Sequence, residues 1–366
     1  MRSGTKCIIH QIEDNKAVSS HTNSSITAEI PVNTTKSVPT PLKIILIWTR
    51  NRKNRSSWNS NIWGQEAFTT HDCEYSGCYL TDDRRKVKDA DIVYFHYNHL
   101  DSWPEVRYPH QLYAHRMLER PGEWHHWIKD YENKINITIN FMIDAEISTS
   151  GKVYFERPNP SYSPYKPRIP LQQKRHSVVW PVSNCLAHSK RQDYVKVLSQ
   201  YIDLHVYGRC GNYTCDKNNE NACLEKFEKE YKFYISFENS VCDGYTTEKL
   251  IYPLRHELIP IAFGGSNYTE ISPPNSFINI EDFQSPKHLA AYLHQLGNNE
   301  SAYNDYFQWK QSYTLGRHRP LACALCKVAH SDQSFPAHTK YYQEWANDTY
   351  SCDNGRIDRM RAIGKW

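Results

Sequence analysis

The stretch KFYISFENSVCDGYTTEKL, Lys232 to Leu250, begins like a buried strand and ends like the start of a helix. Glu238 and Asn239 close the apolar run, and Glu248 and Lys249 open the helical part. In a parallel sheet, ligands lie beyond the carboxyl ends of the strands, at such a turn. The stretch therefore predicts a strand, a polar site and a helix in direct succession.

The same alternation of strand and helix continues on both sides of this stretch. Short apolar runs typical of buried strands occur in HSVVWPVSN, DLHVYG and LIPIAFGG, and helical spacing occurs in SKRQDYVKVLSQYI, CLEKFEKEY and TEKLIYPLRHE. Repeated βα units predict a parallel sheet with right-handed crossover connections. The predicted fold class is α/β.

Changes in composition along the 366 residues predict four regions. Residues 1–41 are rich in Ser, Thr, Asn and Pro, which is typical of a disordered stem. KIILIWT and DADIVYFHY predict buried strands of a first domain at 42–165, and the proline-rich ERPNPSYSPYKPRIP predicts the connection to a second domain at 166–335. We expect the extension at 336–366 to pack back on the second domain or to be partly disordered.

Charge and cysteine content indicate the compartment and exclude some partners. A net charge of +4 with scattered bases predicts no nucleic-acid-binding surface. Eleven cysteines, together with Asn-x-Ser/Thr sequons, favour an oxidising, glycosylating lumen. The candidate glycosylation sites beyond the predicted stem are Asn136, Asn212, Asn267, Asn299 and Asn347. No apolar run of about 18 residues occurs, so we expect a membrane anchor to be absent from this chain, either removed or never present.

The helix that opens near Thr247 has the chemistry of a nucleotide site. Its first N–H groups and Lys249 can receive pyrophosphate oxygens, because a helix amino terminus carries partial positive charge. Glu248 suits sugar hydroxyls, and Tyr245 offers a planar ring and a hydroxyl. The alternative is that Thr followed by acidic residues is ordinary helix capping.

The residues quoted so far, together with SFINIEDFQSPKHLAAYLHQL and YFQWK, resemble the donor-binding region of the α1,3-fucosyltransferases. These enzymes transfer fucose from GDP-fucose to N-acetylglucosamine with inversion. The resemblance is strongest at 177–310 and weaker at 42–166. It implies a GT-B fold of two Rossmann-like domains facing a cleft, with an N-terminal acceptor-binding domain and a C-terminal GDP-fucose-binding domain.

The resemblance also implies individual roles. Glu248 would contact the ribose and Lys249 the phosphates, and Arg191, in VSNCLAHSKRQDYV, would be a second phosphate ligand that stabilises the departing GDP. The full predicted donor set is Arg191, Glu238, Asn239, Tyr245, Thr247, Glu248 and Lys249.

An inverting transfer needs one base to take the proton of the acceptor hydroxyl. HRMLERPGE resembles the ESP-like element that supplies this base in the family, and it places Glu119 in the base position, although Arg120 stands where the family has serine. Glu123 and Glu105 are the alternatives. In NITINFMIDAEI, Met142 and Ile143 replace an arginine pair of many relatives, which leaves the acceptor-binding residues unassigned.

The spacing of the cysteines and the cations of the predicted donor site both bear on whether the chain binds a metal. Cys323-x-x-Cys326 is a possible zinc half-site, but the lumenal compartment and a similar CxxC in the family favour structural disulfides of open connectivity. With Arg191 and Lys249 at the pyrophosphate, we predict no required metal, although Mn²⁺ stimulation is compatible with the family.

The predicted function is α1,3-fucosylation of N-acetylglucosamine in glycoprotein glycans, in the Golgi lumen, by what is normally a type II membrane protein. SNCLAHSKRQDYVKVLSQYIDLHVYGRCGNYTC and QWK resemble the branch that modifies the N-glycan core. One alternative is fucosylation of antennal LacNAc or LacdiNAc. Another is a catalytically silent glycan- or nucleotide-binding protein.

Overall fold

The computed structural model describes residues 41–49, 62–96, 102–120, 131, 133–141, 145–149, 154–157, 160, 163–215, 220–315, 320–337 and 352–365. In chain order the strands are β1 (Lys43–Ile47), β2 (Cys78–Thr81), β3 (Ile92–His96), β4 (Leu112–Arg116), β5 (Ile137–Asn140), β6 (Ile147–Ser148), β7 (Tyr154–Glu156), β8 (His176–Pro181), β9 (Leu204–Tyr207), β10 (Tyr231–Phe237), β11 (Ile259–Phe263), β12 (Ile278–Asn279) and β13 (Tyr313–Leu315). The α-helices are α1 (Glu66–Thr69), α2 (Arg191–Leu198), α3 (Glu220–Glu230), α4 (Glu248–Arg255), α5 (Tyr268–Ile271), α6 (Pro286–Leu296), α7 (Glu300–Asp305), α8 (Leu321–Ala329) and α9 (Arg356–Ala362).

Contacts between residues divide the chain into two compact units. The smaller unit contains 11–114 and 317–334, and the larger unit contains 115–316 and 335–366. This division falls within β4, whereas the sequence predicts a boundary at 165/166. The described residues of the proline-rich segment that suggested the later boundary lie inside the larger unit. In the same unit, β7 pairs antiparallel with β13.

In the smaller unit, β2, β1 and β3 are hydrogen-bonded in that order and run parallel. The side chains of Ile45, Leu46 and Ile47 in β1 are buried, as predicted for KIILIWT. The Asp91 carboxylate accepts hydrogen bonds from Lys43 Nζ and from Ile44 N, each at 2.8 Å. Asp91, in the acidic string Asp89-Ala90-Asp91, therefore stabilises the start of a strand.

Two disulfides close the smaller unit. Cys73 is bonded to Cys323 and Cys78 to Cys326, so both cysteines of the CxxC pair in α8 are covalently paired. The prediction of structural disulfides is confirmed, and this pair offers no thiolate to zinc. Three further disulfides lie in the larger unit, namely Cys185–Cys210, Cys215–Cys223 and Cys242–Cys352.

The larger unit contains a parallel five-stranded sheet in the order β12-β11-β10-β8-β9. After β8 the chain adds β9 on one side, and it then returns to add β10 on the other side. The strand order therefore reverses between β8 and β10, and a crevice opens at such a switch point beyond the carboxyl ends of the strands.

Helices cover both faces of this sheet. On one face, Tyr194 and Leu198 of α2 and Leu293 of α6 pack on the same apolar cluster as Phe233. On the other face, Phe227 of α3 packs in a separate cluster with strand residues. Parallel strands with helices on both faces confirm the predicted α/β fold. No helix in the described part of the chain is long and apolar enough to cross a membrane.

The described end of the chain, 352–365, packs on the larger unit. Ile357 and Met360 of α9 enter the apolar cluster of the sheet, and Asp353 N donates to Val241 O. Cys352 is bonded to Cys242 in the loop after β10. The terminal segment is thereby fixed beside the turn with which the sequence analysis began.

The predicted glycosylation sites differ in accessibility. Asn212, Asn267 and Asn299 are exposed. Asn136 is only 7% exposed, and its Nδ2 donates to Phe335 O at 2.8 Å. Asn347 lies outside the described residues. The folded chain therefore favours the three exposed sites.

Candidate functional site

A cavity of about 500 Å³ lies at the carboxyl ends of β8, β9 and β10, where the strand order reverses. Its polar wall is formed by Ser183, Asn184, Arg191, Asn239, Glu248 and Lys249. Its aromatic wall is formed by Tyr207, Phe227, Tyr234 and Tyr252. The volume is within the usual range for small-molecule sites. Charged groups facing a set of rings suit a ligand with an anionic part and a flat part.

The structure brings together four of the seven predicted donor residues on the cavity wall, namely Arg191, Asn239, Glu248 and Lys249. The other three, Glu238, Tyr245 and Thr247, are buried behind it, at 1%, 1% and 8% exposure. The predicted set therefore forms two layers. The residues on the cavity wall can touch a ligand, and the buried residues behind them hold the wall residues in place.

Glu238 is the centre of the buried layer. Its carboxylate accepts hydrogen bonds from Thr247 N at 2.8 Å and from Thr247 Oγ1 at 3.0 Å, and it pairs with Lys249 Nζ at 3.1 Å. Burial raises the pKa of Glu238, and the nearby ammonium group opposes that rise. Burial alone would lower the pKa of Lys249, but Glu238 and Glu248 raise it above its usual value. Lys249 thus remains a cation at the cavity wall.

The start of α4 does not use the capping arrangement that the sequence left open. Thr247 is the N-cap residue, but its side chain does not cap the helix and instead bonds Glu238. The hydroxyl of Thr246 donates to Ser266 Oγ at 2.6 Å. Both threonine hydroxyls are therefore engaged within the protein, which leaves the first-turn N–H groups and Lys249 as the groups suited to an anion.

A proline inside α4 fixes the backbone of Lys249. Pro253 has no N–H, so the carbonyl of Lys249, four residues earlier, lacks its usual helical donor. Ser236 Oγ of β10 donates to that carbonyl at 2.8 Å instead. This bond ties the helix start to the neighbouring strand and holds Lys249 in register with the cavity.

Arg191 is 3% exposed and begins α2. Nη1 donates to Phe237 O at 2.5 Å and Nη2 to Asn184 O at 3.3 Å, so the guanidinium spans the ends of two strands. Its Nε has no hydrogen-bond partner in the described structure, and neither does Asn239 Oδ1. Burial lowers the pKa of Arg191, and Glu238 opposes the effect. Unpaired buried groups on a cavity wall indicate a polar ligand.

Tyr245 is a buried member of the predicted donor set. Its ring packs edge-on against Phe141, with centroids 4.6 Å apart. Burial raises its pKa well above the usual value, and the carboxylates of Glu238 and Glu119 add to the rise. Glu119 itself is exposed. The side chain of Glu119 is therefore open to solvent, and its role as the base stays a prediction.

The departure from the family motif at Arg120 has a structural explanation. Arg120 is 9% exposed, and its Nη2 lies 2.9 Å from His188 Nε2 in the loop between β8 and α2. The arginine therefore links the Glu119 segment to the loop that precedes Arg191. Of the alternative bases, Glu123 lies outside the described residues, and Glu105 belongs to the smaller unit.

Close backbone approach explains the Gly-Gly pair after β11. A Cβ on Gly265 would lie 2.2 Å from Cys242 O, and one on Gly264 would lie 2.4 Å from Tyr268 Oη. Gly265 therefore admits the chain's own loop after β10, and Gly264 admits the hydroxyl of Tyr268. The aromatic cavity wall was missed from the sequence, although Tyr252 follows Glu248 by four residues and so shares its helix face.

Two family models match this chain over most of its length. The model described as "Glycosyltransferase family 10 (fucosyltransferase) C-term" matches residues 171–346, and "Fucosyltransferase, N-terminal" matches residues 40–151. A crystal structure of an α1,3-fucosyltransferase with GDP aligns over 84% of this chain and 96% of that chain, with 19% identity and a TM-score of 0.49. At that similarity it adds nothing to the family assignment.

Two curated relatives carry the assignment. α-(1,3)-Fucosyltransferase C of Drosophila melanogaster is 30% identical over 330 residues, which are 82% of this chain and 76% of the relative. A 3-galactosyl-N-acetylglucosaminide 4-α-L-fucosyltransferase of Bos taurus is 32% identical over 308 residues, which are 81% of this chain and 79% of the relative. The chain is therefore a glycosyltransferase that belongs to family 10, the α1,3-fucosyltransferase family.

Proposed function

We propose that this chain transfers L-fucose from GDP-fucose to the 3-hydroxyl of N-acetylglucosamine in glycoprotein glycans, with inversion at the fucose carbon. The supporting observation is the cavity at the strand switch point, which combines the buried guanidinium of Arg191 and the half-buried ammonium group of Lys249 with an aromatic wall. A nucleoside diphosphate has the matching parts, namely a pyrophosphate, a ribose and a flat base.

Each part of the donor has a complementary group. Lys249 and Arg191 neutralise the pyrophosphate, Glu248 accepts hydrogen bonds from the ribose hydroxyls, and the rings of Tyr207 and Tyr252 face the base. Because two protein cations serve the phosphates, we propose that no metal is required for transfer. Mn²⁺ would then act at most as a stimulant.

The chemical step is a single displacement. The acceptor 3-hydroxyl attacks the anomeric carbon of fucose while Glu119 takes its proton, and the bond from that carbon to the phosphate oxygen breaks with its electron pair leaving on GDP. Lys249 and Arg191 stabilise the charge that develops on the departing GDP. Attack from the face opposite the leaving group inverts the anomeric centre.

We propose the innermost N-acetylglucosamine of N-glycans as the acceptor, on the basis of the sequence resemblance to the core-modifying branch. Antennal LacNAc or LacdiNAc is the second candidate. The disulfides of the described residues and the exposed sequons support action in the Golgi lumen, where we propose, on the resemblance to the family, that the protein is normally a type II membrane protein.

The test is to incubate the purified chain with GDP-fucose and two acceptors, an N-glycan with an exposed core and a LacdiNAc antenna. Mass spectrometry with linkage analysis locates the new fucose. We expect α1,3-linked fucose on the core N-acetylglucosamine. Fucose on the antenna alone would keep the reaction and contradict the proposed acceptor, and a different linkage would contradict the proposed regiochemistry.

The base is tested with Glu119→Gln, which keeps the size of the side chain but removes its basicity. We expect kcat to fall by at least about 100-fold, while GDP binding, measured by calorimetry, stays unchanged. Glu225→Gln, an exposed substitution on α3, is the matched control. Full activity of Glu119→Gln would assign the base to Glu123 or Glu105.

A further inference from the structure

A second cluster of ligating side chains lies in the larger unit, apart from the donor cavity. His176 is the first residue of β8, Asp203 precedes β9, and His205 is its second residue. Val178 pairs with Leu204 in the parallel ladder, which brings the amino-terminal parts of both strands together. None of the three lines the cavity. We propose that His176, Asp203 and His205 bind a divalent transition metal, with Zn²⁺ as the preferred ion.

The spacing of the donor atoms supports this proposal. His176 Nδ1 lies 3.3 Å from Asp203 Oδ2, and His205 Nε2 lies 3.3 Å from Asp203 Oδ1. One ligand atom from each residue lies within 4.8 Å of the other two. Tetrahedral zinc has ligand bonds of about 2.0–2.2 Å, which places neighbouring ligand atoms about 3.3–3.5 Å apart. Each imidazole nitrogen already lies at that distance from one oxygen of the Asp203 carboxylate, with a different oxygen for each histidine.

A second contact orients one of the ligands. His205 Nδ1 lies 2.7 Å from Tyr231 Oη, which in turn lies 3.2 Å from Tyr207 Oη. Metal-ligating histidines characteristically use their other ring nitrogen in a hydrogen bond of this kind, which fixes the tautomer and the ring orientation. The ring of Tyr213 packs against the ring of His205, with their centroids 4.6 Å apart. The Nε2 atom is therefore directed at Asp203 and available to a metal.

Exposure provides access and an open coordination position. The side chains of His176 and Asp203 are 38% and 48% exposed, and that of His205 is 18% exposed. An ion can enter from solvent, with water as the fourth ligand. Two imidazoles with one carboxylate favour zinc over magnesium or manganese, which prefer oxygen ligands. Without a metal, the same contacts would be ordinary polar contacts between the Asp203 carboxylate and the two imidazoles.

The experiment uses the untagged full chain, treated with chelator and titrated calorimetrically with Zn²⁺ alone at neutral pH. We expect one saturable site that His176→Gln and His205→Ala each weaken by at least about tenfold. His288→Ala, on the exposed side of α6, is the matched control and should leave binding unchanged. Circular dichroism and thermal unfolding confirm that each variant is folded.

Two further measurements separate this site from binding elsewhere. Tyr231→Phe keeps all three ligands, and we expect about tenfold weaker binding because the ring orientation of His205 is lost. Co²⁺ alone should give the intense visible absorption of four-coordinate cobalt in the wild type and not in His205→Ala. Absence of saturable Zn²⁺ binding, tighter binding of Mn²⁺, or unchanged affinity in both histidine variants would overturn the proposal. No readout depends on fucose transfer.

Discussion

Lys249 illustrates how one side chain can serve a ligand and the fold together. Its Nζ donates to Thr247 Oγ1 at 2.7 Å and pairs with Glu238 and Glu248 at 3.1 and 3.2 Å. Glu238 is 1% exposed, so its charge depends on this cation. Breaking a buried pair costs more than the pair contributes, because the remaining charge is left uncompensated.

We therefore expect Lys249→Met to damage both stability and activity. Loss of the partner of Glu238 should lower the free energy of unfolding by about 3 kcal/mol, and loss of the pyrophosphate cation should reduce kcat by at least about 100-fold. Urea unfolding and initial rates with GDP-fucose measure the two effects. Lys287→Met, an exposed substitution in α6, is the control and should change neither.

A double substitution separates the two roles. Glu238→Gln with Lys249→Met removes both charges, so we expect most of the lost stability to return while transfer stays inactive. If the double variant is no more stable than Lys249→Met, the buried pair is not the source of the lost stability. Recovery of transfer in the double variant would remove Lys249 from the proposed donor site.

Individual side chains show where sequence reasoning succeeds and where it stops. Glu248 and Lys249 were predictable because a helix start after a strand carries known chemistry at known positions. Glu238 was placed in the donor set, but its partnership with Thr247 depends on how the loop 239–246 folds back. Such a contact joins residues nine positions apart through irregular backbone, which no periodicity encodes.

Among the elements, α4 depends on a hydrogen bond from another element. Ser236→Ala would leave the buried carbonyl of Lys249 without a donor, and we expect a loss of about 1–3 kcal/mol in the free energy of unfolding. Pro253→Ala restores an N–H that can reach this carbonyl within the helix. The double variant Ser236→Ala with Pro253→Ala should therefore lose less than the sum of the single losses.

Urea unfolding of the four proteins in this cycle measures the coupling. GDP affinity should follow the same pattern, because the carbonyl belongs to Lys249. Strictly additive losses would mean that Pro253 is not the reason for the bond from Ser236.

A second contact between elements predicts that the stability of the fold depends on pH. Glu228 of α3 is 5% exposed, and it accepts hydrogen bonds from His256 Nδ1 at 3.0 Å and Glu257 N at 2.9 Å. Burial opposes its ionisation, but these bonds and Arg168 hold the pKa of Glu228 at about 2, below the usual 4.5. A lowered pKa stabilises the fold at pH values above the usual pKa of 4.5. That stabilisation is lost as the pH falls from 4.5 through about 2.

We expect Glu228→Gln to lower the free energy of unfolding by about 2–3 kcal/mol more at about pH 6 than at about pH 2. Urea unfolding across this range measures the difference, and Glu225→Gln is the exposed control from the same helix. A constant difference between wild type and variant would mean that the pKa of Glu228 is the same in the folded and the unfolded protein, which would contradict the prediction.

The predicted elements of the larger unit were found close to their expected positions, since βα repeats combine two clear periodicities. HSVVWPVSN contains β8 and CLEKFEKEY overlaps α3. β4 and β5 were not predicted, because LYAHR and ITIN are too short for a strong pattern. Their strand character depends on pairing with neighbours, which the sequence does not display.

For the molecule as a whole, long-range disulfides connect distant parts of the chain. Cys73–Cys323 and Cys78–Cys326 join the two segments of the smaller unit, across 250 and 248 residues. Cys242–Cys352 spans 110 residues and holds the terminal segment on the loop after β10. The spacing of the cysteines predicted disulfides but not these partners, because the pairing depends on the folded path of the chain.

Loop size predicts how much each bridge contributes. In the chain-entropy account, a bridge across 110 residues stabilises by about 5 kcal/mol and one across 8 residues by about 2.5 kcal/mol. Replacing Cys242 and Cys352 together by alanine should therefore cost about twice as much stability as replacing Cys215 and Cys223 together. Urea unfolding measures both losses, and equal losses would contradict the account.

GDP titration extends the same comparison to function, because the two bridges contact the cavity differently. Cys215 and Cys223 line it directly, whereas Cys242 and Cys352 hold the loop that precedes α4. That loop also accepts a bond from Asp353 N at Val241 O, so it keeps a second attachment when the bridge is removed. We expect the Cys242/Cys352 double variant to bind GDP about tenfold more weakly, since ordering the loop then costs binding energy. Unchanged affinity would mean that the segment after Cys352 stabilises the fold without positioning the donor site.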